Sequence, residues 1–298
     1  MVQPTNEQSS KSYYQPNQTK PTSLTLEPMN SKYPILTPVP AHYRRALIFD
    51  VETNGLIPKP NPANASPPRL EECPHILQLS FVVYQFSTNR LVESYDAYIS
   101  VSDDVPISER VTEINGITRE IVNEKGVSIV GALRAFYDAY LKCDIAIAHN
   151  LEFDSNMIAI ELARNAAALS LAGHPVQDMW PMFTPEFNAK YEVDLYCTMK
   201  ATTDICSIMT EYPSNTGAGK PRMYKKFPKL SELHNMLFGS IPENLHNSLI
   251  DVLVCLRCFL KIRCCISMAD MAFDRMLRNV SKSLQKESCA IHLPTRLA

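Results

Sequence analysis

The chain has 298 residues with 45% hydrophobic and 20% charged side chains, which is typical of a globular protein and unlike a fibrous or fully disordered chain. No stretch approaches the ~18 apolar residues that a membrane helix needs, and the N-terminus carries no apolar signal core, so we expect an intracellular protein. The formal net charge of −2 argues against a broadly basic surface for holding duplex nucleic acid.

Composition divides the chain into three parts. Residues 1–42 are rich in Gln, Ser, Thr, Asn and Pro and are predicted to form a disordered tail, because they cannot bury enough apolar surface to offset the entropy of ordering. Residues 43–268 are predicted to form one domain with insertions near 58–74 and 173–229. Residues 269–298 are predicted to form a helical extension or a tail.

The first predicted elements of the domain are strands. The apolar run "ALIF", followed by Val51, indicates a central strand that is covered on both faces. After the loop at 58–74, segments 75–86 and 91–101 have the composition of two strands, joined by a turn at Ser87–Arg90.

The second half of the domain alternates between helical and strand patterns. In chain order, we predict a helix at 127–141, a buried strand at 144–149, a helix at 153–172, a strand at 192–199, a helix at 229–239 and a helix at 247–264. Gly173 and Gly239 are expected to end the second and third of these helices, and Asn247 or Ser248 to cap the last. This order predicts an α/β fold with a mixed five-stranded sheet flanked by helices, in which an early antiparallel hairpin joins later parallel strands.

Two acidic residues stand side by side on the first strand. Asp50 and Glu52 are two positions apart in "ALIFDVETNGL", so both side chains point to the same face. Two carboxylates on a buried strand repel each other and lose hydration, which is unfavourable unless a cation lies between them. Magnesium and manganese prefer such oxygen ligands, so the pair predicts a divalent metal site.

Three further residues fit the same site. Asp154 follows the buried strand "DIAIAH", and Asp251 lies in the first turns of an otherwise apolar helix. Four carboxylates could hold two metal ions, which would clamp the attacking and leaving oxygens of a phosphoryl displacement. His246 lies just before the last helix and has a side chain suited to a general base. Taken singly, each acid could equally be a turn residue or serve a helix dipole.

The motifs around these residues resemble the DnaQ-like, or DEDDh, 3′→5′ exonucleases. The family pattern Asp-x-Glu-Thr-x-Gly is matched from Asp50 to Gly55, and His-Asn-x-x-Phe-Asp from His149 to Asp154. His-x-x-x-x-Asp is matched by His246 and Asp251, with Asn247 and Ser248 where the family usually has Asn and Ala. The segment "INGIT" is similar to the family's His-Gly-Ile-Thr, with Asn115 in place of the histidine.

This resemblance spans residues 45 to about 262 and implies an RNase H-like fold, two Mg²⁺ or Mn²⁺ ions and stepwise release of nucleoside monophosphates from a 3′ end. By similarity to polymerase III epsilon-type proofreading exonucleases, the expected substrate is DNA more than RNA, and a polymerase or a replication or repair complex is a compatible partner. The resemblance also implies that the terminal nucleotide is contacted by five residues: Thr53, Asn54, Leu56, Asn150 and Phe153.

The segment "KPRMYKKFPK" mixes basic and aromatic side chains. Such a segment could follow a single strand by charge and stacking, although a short basic loop is more often simply solvated. The nine cysteines are odd in number and scattered, which indicates reduced thiols. A zinc site at Cys255 and Cys258 is disfavoured because no second matched pair exists elsewhere in the sequence.

Three alternatives stay open. An RNA-trimming exoribonuclease would share the same fold and motifs. An RNase H-like endonuclease or integrase would use similar acids, but His246 fits the third motif of a 3′-end exonuclease better. A catalytically idle nucleic-acid-binding or polymerase-docking module would have no need to keep repelling carboxylates.

Overall fold

The computed structural model of the protein describes residues 38–60, 67–211 and 222–285. Five strands form the main sheet, in the order β3-β2-β1-β4-β5. They are β1 (Arg45–Thr53), β2 (Ile76–Gln85), β3 (Arg90–Tyr98), β4 (Ile145–Ala148) and β5 (Asp194–Cys197). A separate two-stranded sheet pairs β6 (Met209–Glu211) with β7 (Met223–Lys225).

Helices surround the main sheet. A short 3-10 helix at Leu70–Glu72 precedes β2. The α-helices that follow β3 are α1 (Glu109–Asn115), α2 (Arg119–Lys125) and α3 (Ile129–Tyr140). Those between β4 and β6 are α4 (Leu151–Arg164), α5 (Ala166–Leu171), α6 (Val176–Met179), α7 (Pro185–Tyr191), α8 (Thr198–Ala201) and α9 (Thr203–Cys206). After β7 come α10 (Leu230–Phe238), α11 (Ser248–Arg263) and α12 (Asp270–Gln285).

The sheet is mixed, as predicted. Strand β2 pairs antiparallel with both β1 and β3, whereas β4 pairs parallel with β1 and with β5. The carboxyl ends of β1, β4 and β5 therefore meet at one edge of the sheet. This arrangement confirms the predicted α/β class with its early hairpin and later parallel strands.

Alternate residues of the central strands build two separate apolar layers. Ala46 and Ile48 of β1 pack with α10, α11 and α12, whereas Leu47 and Phe49 pack with α3, α4 and α7. Because both faces of β1 are covered, its sequence is a continuous apolar run. That run ends at Asp50, on the α11 face of the sheet.

The predicted helix at 153–172 is two helices. The chain breaks at Asn165, whose side-chain amide donates to the Glu161 backbone carbonyl (2.9 Å) and to the Glu161 carboxylate (2.9 Å). This local hydrogen bonding competes with continuation of the helix. Helices α1 and α2 were not predicted, because each spans only 7 residues and carries few buried side chains.

Parts of several predictions lie outside the described residues. They include residues 1–37 of the predicted tail, 61–66 and 212–221 within the predicted insertions, and 286–298 at the C-terminus. The division into tail, domain and extension thus stays a prediction. The eight cysteines in the described ranges have free thiols. No helix in those ranges is long and apolar enough to cross a membrane.

An aromatic cluster on the α3 face offers a test of this packing. Phe136 is fully buried, with its ring centroid 5.0 Å from that of Phe49 and 5.9 Å from that of Phe81. We expect Phe136→Ala to lower the free energy of unfolding by about 3–5 kcal/mol, because it removes apolar contact and leaves a cavity. The exposed Leu171→Ala is the control and should change it by less than about 0.5 kcal/mol in denaturant titrations. Equal effects of the two variants would contradict the packing.

Candidate active site

The end of β1 carries the first two acids. Asp50 lies opposite Ser80 of β2, and Glu52 lies opposite Gln78. Both acids continue the face to which Ala46 and Ile48 belong, so they point toward the start of α11. The apolar half of this face is thus followed by a polar half at the edge where the parallel strands end.

Asp154 reaches the same edge from the opposite layer. The chain leaves β4 through Asn150, which has a left-handed backbone (φ 79°), and α4 begins at the next residue. This places Asp154 in the first turn of α4, where it is buried. Its Oδ1 accepts a hydrogen bond from the Val51 backbone N–H (3.2 Å), which holds the carboxylate against β1 between the first two acids.

Helix α11 brings the remaining two residues. Asn247 caps the helix by accepting a hydrogen bond from the Ile250 N–H (3.3 Å), and Asp251 lies in the first turn. The His246 backbone N–H donates to Asp251 Oδ2 (3.1 Å). One potential ligand atom each from Glu52, His246 and Asp251 lies within 4.8 Å of the other two.

Burial dominates the electrostatics of the four acids. It raises the pKa of Asp50 from 3.8 to about 7. Burial, followed by the charges of Asp50 and Asp251, raises the pKa of Glu52 from 4.5 to about 9. Burial and the charge of Asp50 also raise the pKa values of Asp154 and Asp251. Asp50 is thus the charge that the other three share.

Two carboxylate oxygens in this group lack a hydrogen-bond donor. Asp50 Oδ2 and Asp251 Oδ1 are buried without a hydrogen-bond partner among the described residues. Buried polar atoms of folded proteins are normally satisfied, so each such atom needs an explanation. Oxygen atoms of clustered carboxylates are the ligands that hard divalent cations prefer. The donor set therefore fits a divalent metal.

A cavity of about 210 Å³ adjoins the acids. One wall comes from the end of β1 and the turn after it: Val51, Glu52, Thr53, Gly55 and Leu56. The other wall is formed by Phe153 of α4 and by Val111, Ile114 and Asn115 of α1. Leu56 and Ile114 are 83% and 45% exposed, so apolar surface faces solvent at this point.

The structure separates the five residues expected to contact a terminal nucleotide. Thr53, Leu56 and Phe153 line the cavity, whereas Asn54 and Asn150 do not belong to its described lining. The Asn54 side chain is engaged elsewhere, since its Nδ2 donates to the Pro106 carbonyl (2.9 Å) and its Oδ1 accepts from the His75 N–H (2.7 Å). These bonds hold the loop together, and contact of Asn54 with a nucleotide stays a prediction.

His149, the first residue of the second motif, is held within the fold. Its Nδ1 lies 2.9 Å from Thr198 Oγ1, and its Nε2 lies 3.0 Å from the Pro228 carbonyl oxygen. Burial lowers the pKa of His149 to about 4, so the ring is neutral near pH 7. The histidine joins β4 to the segment before α10.

The basic segment before α10 carries less free charge than its sequence indicates. Lys225 pairs with Asp204 (2.6 Å) and Lys226 with Glu232 (2.5 Å). Phe227 is 55% exposed. The segment includes strand β7, so it is not entirely a loop. The ion pairs favour the interpretation as a solvated segment, and binding of a nucleic-acid strand by it stays a prediction. Lys220, named in the same segment, lies outside the described residues.

Sequence reasoning missed two groups of residues near the acids. Val111 and Ile114 belong to the unpredicted helix α1. Gln78, Ser80 and Asp96 form a hydrogen-bonded polar group beside Asp50 and Glu52, in which Gln78 and Ser80 are fully buried and Asp96 is half-buried. Two polar residues alternating within the apolar run "HILQLSFVV" were the available signal, because they break the pattern on one face only.

Comparison with known proteins gives both a family and a fold. The exonuclease family RNase_T matches residues 47–205, which include the first two motifs, while His246 and Asp251 lie beyond the match. No curated protein matches the chain significantly.

Solved structures of exonuclease I share the fold. The Escherichia coli enzyme in complex with a dT13 oligonucleotide aligns over 81% of this chain and 46% of its own, at 17% identity and a TM-score of 0.50. A second exonuclease I structure aligns over 79% and 44%, at 15% identity and a TM-score of 0.50. The chain thus spans less than half the length of these exonuclease I chains.

The family match covers more than half of the chain, and the fold agrees with it. The chain belongs to the RNase_T exonuclease family and shares its fold with exonuclease I.

Proposed function

We propose that the protein is a 3′→5′ exonuclease that hydrolyses nucleoside monophosphates from the end of a DNA strand with the help of two Mg²⁺ or Mn²⁺ ions. The observation that carries this proposal is the meeting of Glu52, His246 and Asp251 within 4.8 Å, next to a cavity of about 210 Å³. A cluster of acids supports phosphodiester hydrolysis, and an adjoining concave site with apolar residues and a few polar groups supports binding of a nucleoside at a chain end.

The four carboxylates would hold the ions. Asp50 and Asp251 offer oxygens without hydrogen-bond partners, Glu52 opens toward the cavity, and Asp154 is fixed against β1. When bound, two divalent ions supply positive charge that stabilises the attacking and leaving oxygens of an in-line displacement. The acids also lie at the end of a rigid sheet, which suits ligands that must keep a fixed geometry.

His246 would act as the general base. Its side chain is exposed, and its backbone is left-handed (φ 69°), outside the regular part of α11. Its imidazole lies near Glu52 and Asp251, so it can take a proton from a water molecule that attacks the phosphorus beside these acids. The bond from its backbone N–H to Asp251 fixes where the loop ends while leaving the ring free.

The cavity supports attack at a strand end. Leu56 and Ile114 contribute exposed apolar surface to its lining, which suits contact with a base. The cavity and the acids share Glu52, so a nucleoside held there would keep its phosphodiester bond beside the carboxylates. The oligonucleotide bound by the Escherichia coli enzyme makes single-stranded DNA the first substrate to test. A role in proofreading or repair, with a polymerase or repair complex as partner, is the corresponding cellular proposal.

The first test is nuclease activity. Purified protein with Mg²⁺ or Mn²⁺ should release mononucleotides from a 3′-labelled single-stranded DNA. We expect Asp50→Ala to abolish release, because the shared acid is lost, and His246→Ala to lower kcat by about 10²–10⁴-fold. Asp138→Asn, at a half-buried acid of α3 paired with Arg134, is the control and should retain wild-type rates.

Mismatched duplex and short RNA, run beside single-stranded DNA, decide the substrate. Cleavage of a circular strand, or full activity in Asp50→Ala protein, would contradict the proposal. Faster release from RNA than from any DNA would replace DNA by RNA as the substrate.

The second test is the stability of metal-free protein against pH. The pKa values of Asp50 and Glu52 are raised in the fold, to about 7 and about 9. Between these values and the ordinary pKa of about 4, the folded protein therefore holds protons that the unfolded chain has released. The contribution of the two acids to the free energy of unfolding is thus fully present below about pH 4 and is lost as pH rises through 7 and 9. At pH 8 in EDTA, Glu52→Gln should raise the free energy of unfolding by at least about 1 kcal/mol.

Added Mn²⁺ should reverse this order. It should raise the melting temperature of the wild type at pH 8 and shift that of Glu52→Gln much less, because ions that bind only the fold stabilise it. Glu124→Gln, at an exposed position of α2, is the matched control and should behave as wild type. Equal Mn²⁺ shifts for wild type and Glu52→Gln would argue against Glu52 as a ligand.

The third test concerns the cavity wall. Ile114→Ala should raise KM for an oligonucleotide roughly three- to tenfold with little change in kcat, because it removes apolar contact that is present before and during reaction. Steady-state kinetics measure this, with the exposed Leu171→Ala as control. An unchanged KM would remove Ile114 from the proposed binding site.

A further inference from the structure

A group of polar side chains, with Gln78 and Ser80 fully buried and Asp96 half-buried, links the sheet to the start of α11. Gln78 and Ser80 of β2 lie opposite Glu52 and Asp50, and Asp96 of β3 lies opposite Ser80. All five side chains are thus on the face that α11 covers. Three of them are outside the proposed metal site, yet they extend the polar half of the sheet across three strands.

Gln78 makes the connection. Its Oε1 accepts hydrogen bonds from the Ser248 backbone N–H (3.3 Å) and from Asn247 Nδ2 (3.4 Å). Its Nε2 donates to Asp96 Oδ1 (2.8 Å). The side chain is completely buried, so water does not compete for either end. The amide therefore bridges β3 and the first residues of α11.

Asp96 fixes which way the Gln78 amide points. Asp96 Oδ1 accepts from Gln78 Nε2 and also from Ser80 Oγ (2.6 Å). Because this oxygen accepts both bonds, the NH₂ of the Gln78 amide is the group turned toward Asp96. The amide oxygen is then the atom that faces Ser248 and Asn247, which both donate.

A second contact makes the attachment rigid. Ser248 Oγ donates to the Asp50 backbone carbonyl (2.6 Å), so this residue is tied to β1 and β2 at once. Ser248 stands between His246 and Asp251 in the chain. The attachment thus acts on the stretch that carries both residues.

We propose that Asp96 and Gln78 are positioning residues that orient the start of α11, and through it His246 and Asp251, for hydrolysis. This inference rests on the proposed exonuclease function. Neither residue touches the substrate. Substitution of residues that hold metal ligands in place through hydrogen bonds commonly lowers activity by about 10–100-fold.

Kinetics separate positioning by hydrogen bonds from a charge effect. Asp96→Ala removes both hydrogen bonds and should lower kcat for a single-stranded oligonucleotide at least about tenfold, with KM within about twofold of wild type. Asp96→Asn keeps an acceptor oxygen and should stay within about threefold of wild type. Asp144→Ala is the control, because Asp144, like Asp96, accepts two hydrogen bonds. They come from the backbone N–H groups of Arg44 and Arg45 (2.7 Å each), at the opposite end of β1.

A double substitution tests whether Gln78 and Asp96 act through the same set of contacts. Gln78→Met should lower kcat as much as Asp96→Ala, and the double variant should lose no more than either single variant, because both break one chain of contacts. The proposal would be overturned if the losses of kcat multiplied in the double variant. It would also be overturned if Asp96→Asn lost as much kcat as Asp96→Ala, or if Asp96→Ala kept wild-type kcat. Should Asp96→Ala fail to fold, Gln78→Met alone decides, and wild-type kcat in that variant would overturn it.

Hydrogen exchange measures how firmly the start of α11 is attached to the sheet, independently of catalytic turnover. Backbone amides in the 244–251 segment should exchange faster in Asp96→Ala and Gln78→Met protein than in wild type, Asp96→Asn or Asp144→Ala protein. Unchanged exchange would overturn the positioning role. If wild-type protein hydrolyses no nucleic acid, the proposed function fails, while the exchange result still decides whether the attachment exists.

Discussion

Mutual repulsion among four clustered carboxylates, one buried and three half-buried, is the constraint on which this site depends. Asp50 raises the pKa of Glu52, Asp154 and Asp251 through its charge, in addition to the effect of burial. The chain has to hold these groups together although, without a cation, they favour separation. It does so with backbone contacts, since the Val51 N–H binds Asp154 and the His246 N–H binds Asp251. Neutral amide donors can hold a carboxylate in place while leaving oxygens open to a metal.

The sequence predicted those features that depend on local periodicity. Strand periodicity put Asp50 and Glu52 on one face, and the ends of apolar runs put Asp154 and Asp251 in the first turns of helices. The mixed sheet followed from the order of the elements. These inferences need only neighbouring residues, because strand and helix repeats are properties of a short segment.

Features that depend on register or on contacts between distant segments were not predictable. Asp96 lies beside Ser80 only because β2 and β3 pair in one register, and Gln78 meets Ser248 across 170 positions of chain. The cavity wall at Ile114 belongs to a helix too short for a clear pattern. The Asn54 side chain bonds to Pro106 and His75, 52 and 21 positions away, which no local sequence pattern indicates.

Helix α11 and the residues just before it carry one rigid and one adjustable group. The helix is buried on nearly all sides. The guanidinium carbon of its buried Arg257 lies 3.9 Å from the ring centroid of Phe238 and 4.3 Å from that of Phe273. These contacts connect α10 and α12 to α11. Asp251 lies inside this packed helix and inherits its rigidity. His246 precedes the helix cap and has an exposed side chain, so few contacts restrict its ring. A metal ligand needs a fixed position, whereas a general base needs a side chain that can move as it takes up a proton. The start of α11 separates these two residues, because Asp251 lies within the helix and His246 precedes it.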